Sequence, residues 1–154
     1  MISYMMGSFM ISDSKIPEHL NYILNLTKSY ESYFKKNMES LDINIGEILI
    51  LLEIYNNEGL NQIDLVKKFH VTEANISKTT KNLLIKGLII KKIDADNNTK
   101  KLLFLTDKGQ DACVKLLKIF RNWNDEVVGD IPMEELIAFS NTLSKLSENS
   151  LELI

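Results

Sequence analysis

The feature that most constrains this chain is the stretch 61–106, in which two short helical patterns are followed by two short strand patterns. Helices are predicted over 62–69 and 73–86, and strands over 88–90 and 101–105. A tight turn separates the two helices, so they form a helical hairpin. Such a hairpin with a trailing β-ribbon offers little scaffold for catalysis and is well shaped to probe a grooved polymer.

The charges in this stretch differ in sign from those in the rest of the chain. It holds nine lysines against four acidic residues, a net charge of +5, whereas the whole chain carries −3 and the remainder therefore −8. A cationic region of this kind is the electrostatic footprint of a phosphate-binding surface. An ordinary solvated face would carry similar charges, so charge alone leaves both interpretations open.

The predicted helix 73–86 has a short-chained, polar outer face. Its inward side chains are predicted to be Ile76, Thr80, Leu83 and Leu84, and its outward ones Glu73, Asn75, Ser77, Lys78, Lys81 and Asn82. At about 1.5 Å of rise per residue the helix is roughly 22 Å long, which suits a major groove. Asparagine can pair with adenine through two hydrogen bonds, while lysine and serine can hold phosphates. An ordinary amphipathic surface helix is the alternative.

Helical patterns also flank this stretch on both sides. One helix is predicted over 17–38 and another over 45–55, and two more follow the strands, one capped by Thr106 and one from about Met133. The first helix carries a long apolar stripe that needs a partner, either from its own chain or from another subunit. The last helix is predicted to carry a second stripe along one side, formed by Leu136, Phe139, Leu143, Leu146 and Ser150. The predicted fold is therefore mainly α with a small β-wing: a winged helix-turn-helix flanked by terminal dimerisation helices.

Size and composition indicate a cytoplasmic globular protein. A chain of 154 residues, 45% hydrophobic and 25% charged, is long enough for one domain with helical extensions. The single cysteine, Cys113, excludes an internal disulfide and fits a reducing compartment; on the apolar face of its helix it is expected to be a buried, inert thiol. Residues 1–15 are predicted to be an N-terminal extension, too short to span a bilayer and without a signal-peptide pattern. The sequence does not decide whether translation starts at Met1 or at a later methionine such as Met5 or Met6.

A set of residues in the hairpin and the ribbon resembles a known family. The set consists of Leu65, Val71-Thr72, Ile76-Ser77-Lys78, Leu83, Lys86-Gly87-Leu88-Ile89, Leu105-Thr106 and Gly109. This combination of LxxxGLI and LTxxG resembles the MarR family of bacterial transcriptional regulators, and the similarity covers the chain from about Pro17 onward.

The resemblance implies a regulator, most often a repressor, that is an obligate homodimer. Residues 16–44 and 107–154 would form its helical dimerisation region, and residues 45–106 its winged helix-turn-helix. The resemblance also implies a pseudo-palindromic double-stranded operator, with recognition helices in successive major grooves and wings near the minor groove. Release by a small-molecule effector, bound between the helical and DNA-binding parts, is often part of the same mechanism.

Carried onto this sequence, the family's DNA-facing positions fall on the helix 73–86 and on the predicted wing. On the helix and its cap they are Thr72, Asn75, Ser77, Lys78, Lys81 and Asn82; on the wing, Lys100 and Lys101 supply positive charge. The family's usual wing aspartate and arginine are replaced by Asn97 and Thr99. Since lysine lacks the planar, weakly hydrated guanidinium that suits a narrow minor groove, we expect a weaker wing contact than in a typical member.

The helical region suggests where an effector would bind. Aromatic side chains on the first, second and fifth helices are candidates to line a cavity: Tyr30, Phe34, Tyr55 and Phe120. Aromatic residues at helical spacing more often form core, so simple packing is the alternative interpretation.

No catalytic or cofactor motif is found in the sequence. The GxSxG, HExxH, Walker, GxGxxG and CxxC patterns are absent, and His19 and His70 belong to no ligand cluster. We therefore predict a DNA-binding protein that is not an enzyme and needs no cofactor, metal or membrane. The alternative function is a protein-interaction module on the same winged-helix scaffold, with weakened DNA binding.

Overall fold

The computed structural model describes residues 17–38, 41–97 and 100–153. Within these ranges the chain forms six α-helices and one two-stranded antiparallel sheet. The helices are α1 Glu18–Met38, α2 Ile45–Asn56, α3 Gln62–Phe69, α4 Glu73–Ile85, α5 Asp107–Val128 and α6 Met133–Leu151, and the strands are β1 Ile89–Ile93 and β2 Lys101–Leu105. This order confirms the predicted mainly α fold with a small β-wing. The predicted extension 1–15, the candidate start methionines and Thr99 lie outside the described residues.

Most boundaries follow the sequence patterns closely, and one strand does not. α3 and β2 have the predicted bounds, and Gly87 has φ +69°, the left-handed conformation expected where α4 ends. The prediction that the first strand ends at Ile90 was wrong, because Lys91 and Lys92 continue to pair with β2. Both lysines are exposed. A projecting ribbon tolerates such polar residues in the middle of a strand, so its apolar pattern is shorter than the strand itself.

The base of the ribbon is joined to the segment before α3. An additional bridge connects Leu60 with Leu103 in antiparallel orientation. The Leu103 N–H donates to the Leu60 carbonyl over 2.7 Å, and the Gly59 N–H donates to the Leu103 carbonyl over 3.0 Å. Both main-chain groups of Leu103 therefore pair with the segment before α3, on the edge of β2 that faces away from β1, which holds the ribbon against the body of the protein.

The contacts divide the chain into two compact units, the first ending at Phe120 and the second beginning at Arg121, inside α5. The first unit contains an apolar core whose most enclosed side chains come from α1 to α5 and both strands: Phe34, Ile48, Leu51, Ile54, Leu65, Ile76, Leu83, Ile89, Leu103 and Leu116. Of the four residues predicted on the inward face of α4, Ile76, Thr80 and Leu83 are buried and Leu84 is half-buried.

The first and last helices each expose several apolar side chains. On α6, in the second unit, Ile137, Phe139 and Leu146 are each more than half exposed. On α1, in the first unit, the predicted apolar stripe is buried only at its end, at Phe34 and Met38. None of the described helices is both long enough and apolar enough to cross a membrane.

Candidate nucleic-acid interface

Helix α3 is the platform on which α4 is positioned. It begins with a capping box, in which Asn61 and Asp64 each accept a hydrogen bond from the other's main-chain N–H over 3.0 Å. It ends at His70, whose φ of +51° lets the chain turn directly into the cap of α4. Leu65 is fully buried beneath the hairpin. The start of α4 is therefore fixed by the end of α3.

A partly buried hydrogen bond between side chains joins the two helices of the hairpin. Gln62 Nε2 donates to Thr80 Oγ1 over 2.6 Å, and the Thr80 side chain is fully buried. The Thr80 hydroxyl in turn donates to the Ile76 carbonyl over 2.8 Å. Sequence reasoning placed Thr80 on the inner face and missed its partner, because Gln62 lies 18 positions earlier and no periodicity connects the two.

The outer face of α4 is presented to solvent. Thr72 is the N-cap and accepts a hydrogen bond from the Asn75 N–H over 3.2 Å, as predicted. Of the six candidate DNA-facing residues on this helix, five are exposed and one, Asn82, is half-buried; the exposed ones are Thr72, Asn75, Ser77, Lys78 and Lys81. The structure therefore offers hydrogen-bonding and positively charged groups along the whole helix.

A groove separates the start of α2 from the outer face of α4. Its volume is about 400 Å³, and its walls are Asn44, Gly46, Ala74, Asn75, Lys78, Thr79 and Asn82. Sequence reasoning did not single out Thr79, which is half-buried and donates to the Asn75 carbonyl over 3.0 Å. Three of the candidate residues thus share one concave surface with residues of α2.

The wing carries exposed lysines on both strands. Lys100 and Lys101 are exposed, and Lys100 Nζ lies 4.0 Å from Asp94 Oδ2, which offsets part of its charge. Lys92, on the opposite strand, lies 4.8 Å from the centroid of the Phe104 ring. Together with Asn61, Gln62, Ile63 and Asn97, the two candidate wing lysines line a cavity of about 530 Å³ at the start of α3.

The end of α4 explains why the LxxxGLI and LTxxG motifs occur together. Thr106 Oγ1 donates to the Gly87 carbonyl over 2.7 Å and accepts from the Gly109 N–H over 3.0 Å. A Cβ atom at Gly109 would lie 1.9 Å from the Leu88 carbonyl oxygen, so only glycine fits there. The first turn of α5 therefore packs directly on the end of α4.

Three of the four candidate effector-lining residues contact one another. The ring centroid of Phe34 lies 4.3 Å from those of Tyr30 and Phe120, and Phe34 is fully buried. Burial raises the pKa of Tyr30. Tyr55, on α2, is half-buried. Two cavities, of about 310 and 640 Å³, lie at the connection between α1 and α2 and share the lining residues Lys35, Met38, Ile43 and Asn44.

The chemistry on offer is that of a polyanion-binding surface. In the part of the chain that the structure describes, no group of three or more His, Cys, Asp or Glu side chains could hold a metal ion. His19 lies in α1 and His70 at the end of α3, and both are exposed. Exposed lysine, asparagine and hydroxyl groups on α4 and the wing instead match the phosphate and base-edge groups of a nucleic acid.

Comparison with known proteins points to one family. The MarR family model matches residues 43–99, which contain α2, α3, α4 and β1. This part of the chain is thus similar to the MarR family. Among the named relatives of the chain, the HTH-type transcriptional regulator BilQ of Clostridioides difficile (strain CD3) is 28% identical over 125 residues, which cover 78% of this chain and 84% of the relative.

Solved structures with the same fold include one that contains DNA. A putative MarR family transcriptional regulator from Listeria monocytogenes, complexed with 26mer DNA, is 28% identical, with 84% of this chain and 87% of that chain covered and a TM-score of 0.76. BpsR of Bordetella bronchiseptica, solved in connection with regulation of its DNA binding by 6-hydroxynicotinic acid, is 17% identical, with 90% and 97% covered and a TM-score of 0.73. The predicted resemblance to the MarR family and the predicted winged-helix fold are thus confirmed.

Proposed function

We propose that this protein is a homodimeric, cytoplasmic repressor of the MarR type that binds a pseudo-palindromic operator in double-stranded DNA. The observation that carries the proposal is the exposed outer face of α4, where Asn75, Ser77 and Lys78 lie on a helix held from behind by buried residues. An α-helix fits the major groove, in which asparagine can read adenine while lysine and serine hold phosphates. Thr72, Lys81 and Asn82 complete the proposed reading surface.

Exposed apolar faces support a dimer. On α1, Leu20, Ile23 and Leu24 are 41%, 42% and 58% exposed, and on α6 Phe139, Leu143 and Leu146 are 54%, 41% and 52% exposed. Apolar side chains grouped on one helix indicate a surface that another protein covers. We assign that role to a second copy of the chain, with residues 16–44 and 107–154 as the dimerisation region and residues 45–106 as the DNA-binding region.

The symmetry of a dimer sets the geometry of the operator. Two copies of α4 would enter successive major grooves on one side of the duplex, at half-sites whose centres are about 34 Å apart. Lys100 and Lys101 on each wing would add phosphate contacts beside each half-site. A dimer seated across a promoter in this way excludes the transcription machinery, which is the proposed mechanism of repression.

An effector would act by changing the spacing of the two α4 helices. In BpsR, which has the same fold, DNA binding is regulated by 6-hydroxynicotinic acid. We assign effector binding in this chain to Tyr30, Phe34, Tyr55 and Phe120. Because the rings of Phe34 and Phe120 are 4.3 Å apart, a ligand that enters between them must separate α1 from α5. Binding would then favour a dimer with a different helix spacing.

The proposal is tested by selecting bound sequences from a random pool of duplex DNA at two salt concentrations. Enrichment of a palindrome with half-sites one helical turn apart is the expected result. Salt-sensitive binding without enrichment would indicate a nonspecific DNA-binding protein. Failure of the folded dimer to bind at either salt concentration, together with native mass spectrometry that finds no ligand retained, would favour the protein-interaction module instead.

Replacement of two lysines on α4 tests how this surface meets phosphates. We expect Lys78→Ala/Lys81→Ala to weaken binding to all sequences and to reduce the slope of log K against log salt by up to about 3.6 for a dimer, because each lost phosphate contact removes roughly 0.9. The control is Lys115→Ala/Lys118→Ala on α5, which removes two exposed lysines at the same spacing. An equal effect of both variants would show that only net charge matters.

A further inference from the structure

Lys86, the residue that follows α4, joins the end of that helix to the connection between α1 and α2. Its Nζ lies 2.8 Å from Glu47 Oε2 and also donates to the main-chain carbonyl of Asp42. Its own carbonyl oxygen accepts a hydrogen bond from Lys108 Nζ over 2.7 Å. A single residue therefore connects α4 with the start of α2 and the first turn of α5.

The partner of Lys86 is a buried carboxylate. Glu47 is 1% exposed, and its Oε2 also accepts from the Asn44 N–H over 3.0 Å, which completes the cap of α2. The other carboxylate oxygen, Oε1, has no hydrogen-bond partner among the described residues. A buried charge of this kind depends on its counter-ion, and removing one partner alone is strongly unfavourable. The position of Lys86 is thereby tightly determined.

The main-chain carbonyl of Asp42 is the second acceptor of the Lys86 ammonium group. Asp42 has φ +48°, a left-handed conformation that non-glycine residues seldom adopt. Its carbonyl oxygen accepts from Lys86, whereas its own carboxylate is 94% exposed and lies 4.0 Å from the ammonium. An exposed pair at that distance contributes little. The contact that matters is therefore with the turn itself, not with the Asp42 side chain.

Lys86 lies directly after α4, so a small rotation of the helix about this end moves its other end by a large distance. The helix has 13 residues, so it is about 20 Å long. A rotation of about 10° around Lys86 would move the Thr72 end by roughly 3 Å. Base edges are read through hydrogen bonds whose useful length ends near about 3.2 Å. Recognition at the far end of α4 therefore depends on how its near end is held.

We propose that Lys86 is a positioning residue for operator recognition, a role that rests on the DNA-binding function proposed above. By bridging the Glu47 carboxylate and the Asp42 carbonyl, Lys86 sets the orientation of α4 relative to the connection between α1 and α2. It does so without touching DNA. Sequence-specific binding depends on this bridge, whereas the general attraction of lysines to phosphates does not.

The test compares the wild-type dimer with Lys86→Met/Glu47→Gln, which removes both charges of the pair and leaves the net charge unchanged. A glutamine can still close the capping box of α2, so the variant is expected to fold. Affinity is measured for the selected operator and for random-sequence duplex of equal length, at two salt concentrations. We expect operator affinity to fall about tenfold or more, as on loss of a base contact. Affinity for random DNA and its salt slope are expected to stay unchanged.

Three further variants make the result specific. Lys86→Arg keeps a cation in reach of both acceptors and should restore operator affinity to near the wild-type value. Glu47→Gln alone leaves the bond to the Asp42 carbonyl and should give an intermediate loss. The control Lys118→Met/Asp111→Asn removes one exposed charge of each sign from α5 and should behave as wild type. Circular dichroism and thermal unfolding establish that each variant is folded.

Different failures would be distinguishable. Unchanged operator affinity in Lys86→Met/Glu47→Gln would overturn the positioning role. A parallel loss on both DNAs with a shallower salt slope would overturn it too, because it would place Lys86 itself on a phosphate. Wild-type protein without any operator preference would refute the proposed function, and the positioning role with it, before the variants are compared.

Discussion

Cys113 lies where α5 faces α2, and its surroundings suppress the ordinary chemistry of a thiol. Its side chain is fully buried, and Sγ donates to the Leu51 carbonyl at 3.7 Å. Burial raises the pKa of this thiol from 9.0 to about 11. The thiolate is the reactive form, so its population at pH 8 is roughly a hundredfold below that of an unburied thiol. The predicted buried position is confirmed, and the residue has a packing role.

We expect Cys113 to resist alkylation by iodoacetamide in the folded protein at pH 8, at least about a hundredfold more than in the unfolded chain. Mass spectrometry with and without urea measures the alkylation rate. Similar rates in the folded and unfolded states would contradict this description.

The pKa shift of Cys113 also makes the stability of the fold depend on pH. Because the folded pKa lies above the unfolded one, the stability that the neutral thiol contributes is fully present below pH 9 and is lost as pH rises toward 11.

At the scale of elements, the first turn of α5 packs so closely on the chain at the end of α4 that Gly109 leaves no room for a side chain. We expect Gly109→Ala to destabilise the fold by about 3 kcal/mol, because the new Cβ would lie 1.9 Å from the Leu88 carbonyl oxygen. The higher helix propensity of alanine, about 1 kcal/mol, is too small to compensate. The matched control is Gly46→Ala in α2, where the nearest atom, Asn44 Oδ1, is 3.4 Å away. Urea unfolding of both variants should separate them clearly.

Local elements were predictable because their signals are local. Thr72 as a cap, Gly87 as a left-handed terminus and the inner face of α4 all depend on residues within one or two turns. The β1 strand was predicted too short because Lys91 and Lys92 carry no apolar signal, although their main chains pair with β2.

The polar connections of the candidate site were not predictable in the same way. Gln62 meets Thr80 across 18 positions, and Lys86 meets Glu47 across 39. Neither pair follows from hydrophobic periodicity, since the partners become neighbours only after the helices have packed. Sequence reasoning therefore identified which residues α4 exposes, and did not identify what holds α4 in place.

At the scale of the whole molecule, the apolar stripes of α1 and α6 were visible in the sequence, but their partner was not. Within the described chain, Phe34 and Met38 are the buried residues of α1, and α6 has none. An apolar stripe predicts that one face of a helix is covered by other residues, but it does not show which chain those residues belong to. Only the structure shows that the chain itself covers so little of these two helices.

Charging the α6 stripe tests the dimer directly. We expect Leu143→Glu/Leu146→Glu to be monomeric at micromolar concentration while the wild type is dimeric, because an interface that closes over them would bury two unpaired carboxylates in each subunit. The control Asn141→Glu/Ser144→Glu places two glutamates at the same spacing away from the predicted stripe and should remain dimeric. Sedimentation velocity measures both. A wild-type monomer, or a dimeric Leu143→Glu/Leu146→Glu protein, would contradict the dimer proposal.

The bridge between Leu60 and Leu103 affects how the protein unfolds. Segments far from each other in sequence share main-chain hydrogen bonds there, so the ribbon cannot open without also freeing the chain that leads into α3. Opening of the wing at Leu103 therefore requires a larger cooperative opening. We expect the base of the wing and the helical hairpin to behave as one foldon, which heat or mechanical tension would release together.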